Sequence, residues 1–182
     1  GAPYVPENYD LQFHGPVSIR AALANSYNVP AVQVMNWVGV DNVIRTAHRM
    51  GINSLDRGLD IYGPALTLGG GEVTLLDLGY SYGVLAHNGV MSGNPVPENE
   101  IRSGYRSLNP VTILRIDDSK GETLMRCGSN GQDACQFVQA TTQPVLSPEL
   151  SYLMTHVLSD EVARSEAFGR PNSLEIGRPA AV

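Results

Sequence analysis

The stretch Gly15 to Val32, GPVSIRAALANSYNVPAV, constrains this chain more than any other. Ile19, Ala22 and Leu23 recur at i, i+3 and i+4, which predicts a short helix with one apolar face, N-capped at Ser18. Ser26 continues that face at i+7, so a hydroxyl arrives where the pattern wants an apolar side chain. Asn28 and Pro30 stop the helix, because a residue before proline is pushed out of the α region. Pro30 then suits the first turn of a second helix over 30–38, with Ala31, Val34, Met35 and Val38 as its apolar face and Gly39 as its stop. The triplet Ser26-Tyr27-Asn28 is therefore expected in a tight corner between two buried helices, able to hold a hydroxyl and an amide in fixed relative positions. Ser and Asn also cap and turn for purely local reasons, so the triplet alone leaves a capping role equally open.

Beyond the corner, Asp41 is placed to cap a third helix that buries Val43, Ile44 and Ala47 and ends at Gly51. Residues 52–73 read as loop. Gly69-Gly70-Gly71 lacks the Lys-Ser/Thr of a phosphate loop and reads as permissive backbone packed close to another element. Thr74 with Asp77 resembles a capping box opening a helix that buries Leu75, Leu78, Tyr82 and Leu85 and ends at Asn88-Gly89. Residues 93–110 read as a surface excursion. Residues 111–126 alternate around the turn Asp117 to Gly121, which predicts a β-hairpin. A last helix opens at Ser147-Pro148-Glu149 and carries Leu150, Leu153, Met154, Val157 and Leu158 as a core stripe, with His156 off it. Arg164 to Pro179 reads as irregular, and Ala180-Ala181-Val182 as the entry to a strand.

Charge and residue counts narrow the chemistry. A formal net charge of −6 excludes the basic footprint of a nucleic-acid binder. No apolar run approaches the roughly 18 residues of a membrane span. Of the 12 basic residues, 11 are arginines, so any chemistry that needs a lysine must use Lys120 or a residue outside the chain. Lys120 falls in the predicted hairpin turn, where solvent exposure is the default. Cys127 and Cys135 enclose a polar loop with no second Cys pair or His cluster beside it, which excludes a zinc site and suits a local disulfide in an oxidising compartment, unlinked thiols being the alternative.

Four stretches, GPVSIRAALANSYNVPAV, LTLGGGEVTLLDLGYSYGVLAHNG, ILRIDDSKGETL and VLSPELSYLMTHVLSDEV, resemble in order and spacing the transpeptidase domain of bifunctional (class A) penicillin-binding proteins. The closing IGRPAAV resembles the run before that family's Lys-Thr-Gly motif. The family uses three motifs: Ser-x-x-Lys, Ser-x-Asn and Lys-Thr-Gly. Only the second is present here; no serine has a lysine three positions on, and the residue three before Lys120 is Asp117. The resemblance therefore implies a partial transpeptidase domain over 1–182, lying between the first and third motifs. Its fold would be α+β and mostly helical, a partial serine β-lactamase-like fold with a β-hairpin excursion.

By the same resemblance, Ser26 takes part in proton transfer toward the leaving group, and Asn28 holds the amide of a peptide stem or a β-lactam. Tyr27 shapes the corner. His14, the glycine run and the Cys loop carry no motif role, and Arg178 lies just before the expected Lys-Thr-Gly strand. The parent would be a serine D,D-transpeptidase that cross-links peptidoglycan peptide stems and is acylated by penicillins. It would need no metal or organic cofactor, and it would stand on the outer face of the cytoplasmic membrane, anchored by a segment outside this chain. Two alternatives remain: a D,D-carboxypeptidase, where water replaces the acceptor amine, and a non-catalytic module that binds peptidoglycan peptides or a partner protein.

Overall fold

The computed structural model describes residues 5–58, 61–113, 115–126, 141–178 and 180–181. Cys127 and Cys135 lie outside them, so the disulfide expectation does too. The lead-in over residues 5–14 is irregular and turns at Asn8–Leu11, where the Leu11 N–H donates to Asn8 O at 3.0 Å, so it is not extended throughout as expected. Helix α1 (Ile19–Ala24) then starts at the predicted cap: Ser18 Oγ accepts the Ala21 N–H at 3.1 Å.

Helix α2 (Asn28–Val38) begins two residues earlier than Pro30 suggests. The reason lies outside the helix, because Asn8 of the lead-in accepts the Val29 N–H at 3.0 Å and supplies a cap. The buried residues of α2 are Val32 and Met35, whereas Val34 and Val38 are largely exposed. Helix α1 buries none of its residues, so the corner joins one surface helix to one partly buried helix. Gly39, at φ +86°, ends α2 and begins α3 (Val40–Arg49), which places Asp41 inside the first turn instead of at the cap. Ile44 of α3 packs with Leu55 and Tyr62 in one core cluster.

The glycine run is a close-packed turn, as read from the sequence. It follows a 3-10 turn (Pro64–Leu68), and a Cβ on Gly71 would fall 2.5 Å from Leu66 Cδ1. Helix α4 (Leu75–Ala86) follows, with Thr74 Oγ1 accepting the Asp77 N–H at 3.1 Å. The other half of the capping box does not form. Asp77 instead accepts the Ser54 N–H at 2.9 Å and pairs with Arg106 at 2.6 Å. This pairing turns α4 so that Asp77, Ser81 and Val84 face inward and Leu75, Leu78 and Tyr82 face out. Both stripes have helical spacing; the buried ion pair selects the one that periodicity in apolar residues alone does not.

The region read as a surface excursion contains strands. Strand β1 (Val90–Pro95) is the centre of a three-stranded antiparallel sheet, between β2 (Leu108–Asn109) and a later strand, β5 (Thr141–Pro144). Met91 and Leu108 of this sheet pack with Val84 in a second core cluster. Between them lies the predicted hairpin, β3 (Arg115–Asp117) and β4 (Thr123–Arg126), with Lys120 exposed in its turn.

Helix α5 (Pro148–Leu158) starts at the predicted Ser147 cap and ends at Ser159. Its buried residue is Ser151, while Leu150 and Leu153 of the expected core stripe are about half exposed. Small side chains are used here because Ser151 lies against Gly89, where a Cβ would come within 2.9 Å of its Oγ. A further helix, α6 (Glu161–Phe168), occupies part of the segment read as irregular; Asp160 caps it by accepting the Ala163 N–H at 2.9 Å. Ala180 and Ala181 are not in a strand. The whole is α+β and mostly helical, with small sheets, as expected from the sequence.

Candidate active site

The corner is built on the backbone of Ser26, which stands at φ +56°. Its N–H donates to Leu23 O at 3.1 Å, and the Tyr27 N–H donates to Ala22 O at 2.9 Å. These are the two crossed bonds of a Schellman helix end, with Ser26 at the left-handed position that glycine usually occupies. A left-handed conformation costs an ordinary residue about 1–2 kcal/mol. The Ser26 side chain is exposed, and among the described residues no group bonds its hydroxyl. The side chain itself therefore makes no bond that offsets the cost. Such strain persists only where the surroundings over-determine it, and it concentrates at functional sites.

Both flanks of Ser26 are pinned. Asn25 is buried, and its amide donates to Ala21 O at 3.1 Å and to Ala163 O at 3.0 Å. Its Oδ1 accepts the Ala167 N–H at 3.0 Å. On the other side, Tyr27 is buried and stacks on His14 with centroids 4.1 Å apart and planes at 14°. His14 Nε2 in turn lies 2.7 Å from Asp10 Oδ2. Burial, with the Glu166 carboxylate beside it, pushes the Tyr27 hydroxyl above the usual tyrosine range. Tyr27 thus stays protonated at neutral pH and is not a base.

Asn28 is the first residue of α2, half-buried, and its amide donates to Glu7 O at 2.8 Å. One amide hydrogen is committed to the lead-in; a carboxamide has a second hydrogen and a carbonyl to offer a ligand. The structure therefore brings Ser26 and Asn28 to one corner, as the sequence predicts. Asn25, Asn8 and helix α6, which hold that corner, were not among the residues singled out. The signal for α6 was present in Asp160-Glu161, an N-cap followed by an acid in the first turn.

Arg178 lies elsewhere. It lines a cleft of about 690 Å³ with His156, Asp160, Arg170 and Glu175, which none of Ser26, Tyr27 and Asn28 lines. Asp160 at that cleft pairs with Arg20 of α1 at 2.8 Å. Chemically, the corner offers a carboxamide, and a hydroxyl that no group bonds among the described residues. A hydroxyl so placed can relay a proton between groups brought to it.

No protein-family model matches the chain. Penicillin-binding protein 1A of Rickettsia bellii is 34% identical over 168 residues, 90% of this chain and 20% of that protein. Penicillin-binding protein 1F of Bacillus subtilis is 30% identical over 166 residues, again 90% of this chain and 19% of that protein. The chain thus spans about a fifth of the length of these curated relatives. Among solved structures, PBPA of Mycobacterium tuberculosis matches with a TM-score of 0.57 at 18% identity, covering 92% of this chain and 36% of that one. Penicillin-binding protein 1A of Haemophilus influenzae matches at 0.56 and 21% identity, covering 85% of this chain and 23% of that one. At these identities the structural likeness shows the fold, that of the penicillin-binding transpeptidase domain.

Proposed function

The chain belongs to the penicillin-binding proteins, class A members aligning with it over most of its length, and we propose that it is the middle part of a serine D,D-transpeptidase domain in which Ser26 and Asn28 are catalytic residues. In that reading, residues 1–182 lie between a Ser-x-x-Lys segment and a Lys-Thr-Gly strand. The parent forms an acyl-enzyme on the Ser-x-x-Lys serine, releases D-Ala and passes the acyl group to an amine of a second peptide stem. Such a route needs a nucleophile activated by a neighbouring base and a second group to return the proton to the leaving amine. Ser26 relays that proton between the motif lysines and the leaving group, and Asn28 holds the substrate amide. The single observation that carries this is the left-handed Ser26, strained, held from both sides and left with an unbonded hydroxyl among the described residues.

β-Lactams enter by the same route. One solved relative is an imipenem acyl-enzyme complex, and a β-lactam carbonyl presents the same acyl centre and flanking amide as a peptide stem. The parent acts on the outer face of the cytoplasmic membrane, where its peptide-stem substrates are. Among the described residues no helix is long and apolar enough to cross a membrane. The chain's own lack of any Ser-x-x-Lys favours one other reading, a non-catalytic peptide-binding module.

The coding sequence on both sides of this segment separates the two: Ser-x-x-Lys upstream and Lys-Thr-Gly after Val182 belong to the enzyme, and their absence removes it. In the full-length protein, Ser26→Ala is expected to slow acylation by a penicillin by about 10²-fold or more. A Ser26→Ala protein that acylates at the unaltered rate excludes the proton-relay role.

A further inference from the structure

Ser26 is held in a conformation its residue type disfavours, and the groups of α6 that hold it act on its N-terminal side. The carboxamide of Asn25 donates to Ala163 O at 3.0 Å and accepts from Ala167 N–H at 3.0 Å. These are the acceptor and the donor that an uninterrupted helical turn pairs with each other. The amide of Asn25 therefore bridges the two ends of a single turn of α6 and fixes the end of α1 against it in both distance and rotation. Asn25, the residue immediately before Ser26, is thus bonded to both ends of the turn 163–167. The Arg20–Asp160 pair adds a third tie between α1 and the start of α6.

We infer that α6 is a positioning clamp for the Ser26 hydroxyl, acting through the Asn25 amide and the Arg20–Asp160 pair. The inference rests on the reading of Ser26 as a catalytic residue. Asn25 and Arg20 touch no reacting atom; they are positioning residues. Releasing α6 would let residue 26 relax toward right-handed backbone and swing its hydroxyl out of line, and displacements of about 1 Å can cost about 10²-fold in rate.

The test is a pair of double-mutant cycles in the full-length protein, reading the second-order rate of acylation by a fluorescent penicillin, with thermal unfolding recorded for each variant. Asn25→Ala is expected to lower the rate about tenfold or more when Ser26 is present, and less than about twofold in the Ser26→Ala background. Arg20→Met, which removes the ion pair with Asp160, is expected to show the same dependence with a loss of about threefold. This second cycle decides the matter where Asn25→Ala does not fold. Losses that are equal in both backgrounds, or absent, overturn the clamp and leave Ser26 untouched. Ser26→Ala acylating at the unaltered rate is a different result: it removes the catalytic reading of Ser26 and the clamp with it.

Discussion

Replacing Ser26 by glycine should stabilise the chain while it disables the site. Ser26 occupies the left-handed position of a Schellman helix end at φ +56°. A side chain there costs about 1–2 kcal/mol, and glycine is free of that cost. Glycine in turn loses more backbone freedom on folding, worth roughly 0.5–1 kcal/mol. The hydroxyl makes no bond among the described residues, so no further loss offsets the gain. The net expectation is a stabilisation of about 0.5–1 kcal/mol. In a chain of this size that raises the Tm by roughly 1–4 °C. Urea denaturation of Ser26→Gly beside the unaltered chain reads it directly, with a higher midpoint and the same m-value. In the full-length protein the same substitution should slow acylation by penicillin by about 10²-fold, since the relayed proton loses its carrier. A destabilisation of about 1 kcal/mol or more would refute the reasoning, because it would mean that the hydroxyl caps the helix end.

The buried pair of Asp77 and Arg106 gives a pH dependence. Burial opposes ionisation of Asp77, but hydrogen bonds from Arg106 and Ser54 outweigh it and hold the carboxyl below its ordinary value of 3.8. The folded value lies below the unfolded one, so this contribution is complete above about pH 4 and is lost as pH falls through the folded value. Acid titration of stability should therefore show a limb below pH 4 that flattens in Asp77→Asn. Arg106→Met leaves Asp77 buried without its partner and should cost about 3–5 kcal/mol in urea denaturation. Gly89 stands at φ +86°, and a Cβ there would meet Leu146 O at 2.3 Å. Gly89→Ala should cost about 2–5 kcal/mol, read by the same denaturation.

The starts of α1, α4 and α5 were legible in the sequence because their caps are local. Ser18, Thr74 and Ser147 each accept the backbone N–H three residues on, as their positions predict. The face that each helix buries was not legible. Asp77 and Ser151 are buried because an arginine and a glycine distant in sequence meet them, and no local pattern contains that information. Strands β1 and β5 escaped for the same reason: they pair across about fifty residues, and their polar composition hides them. At the corner, Ser26 and Asn28 were singled out through the order of the surrounding segments. Asn25, which ties the corner to α6, was invisible because an asparagine at a helix end has an adequate local explanation.

The central claim is that Ser26 is the middle member of a three-part site and not its nucleophile. Peptide mapping by mass spectrometry after labelling the full-length protein with a penicillin tests this most directly. The account predicts one penicilloyl adduct, on a Ser-x-x-Lys serine outside residues 1–182, and none on the isolated chain. An adduct on Ser26, or on any serine within residues 1–182, would contradict it.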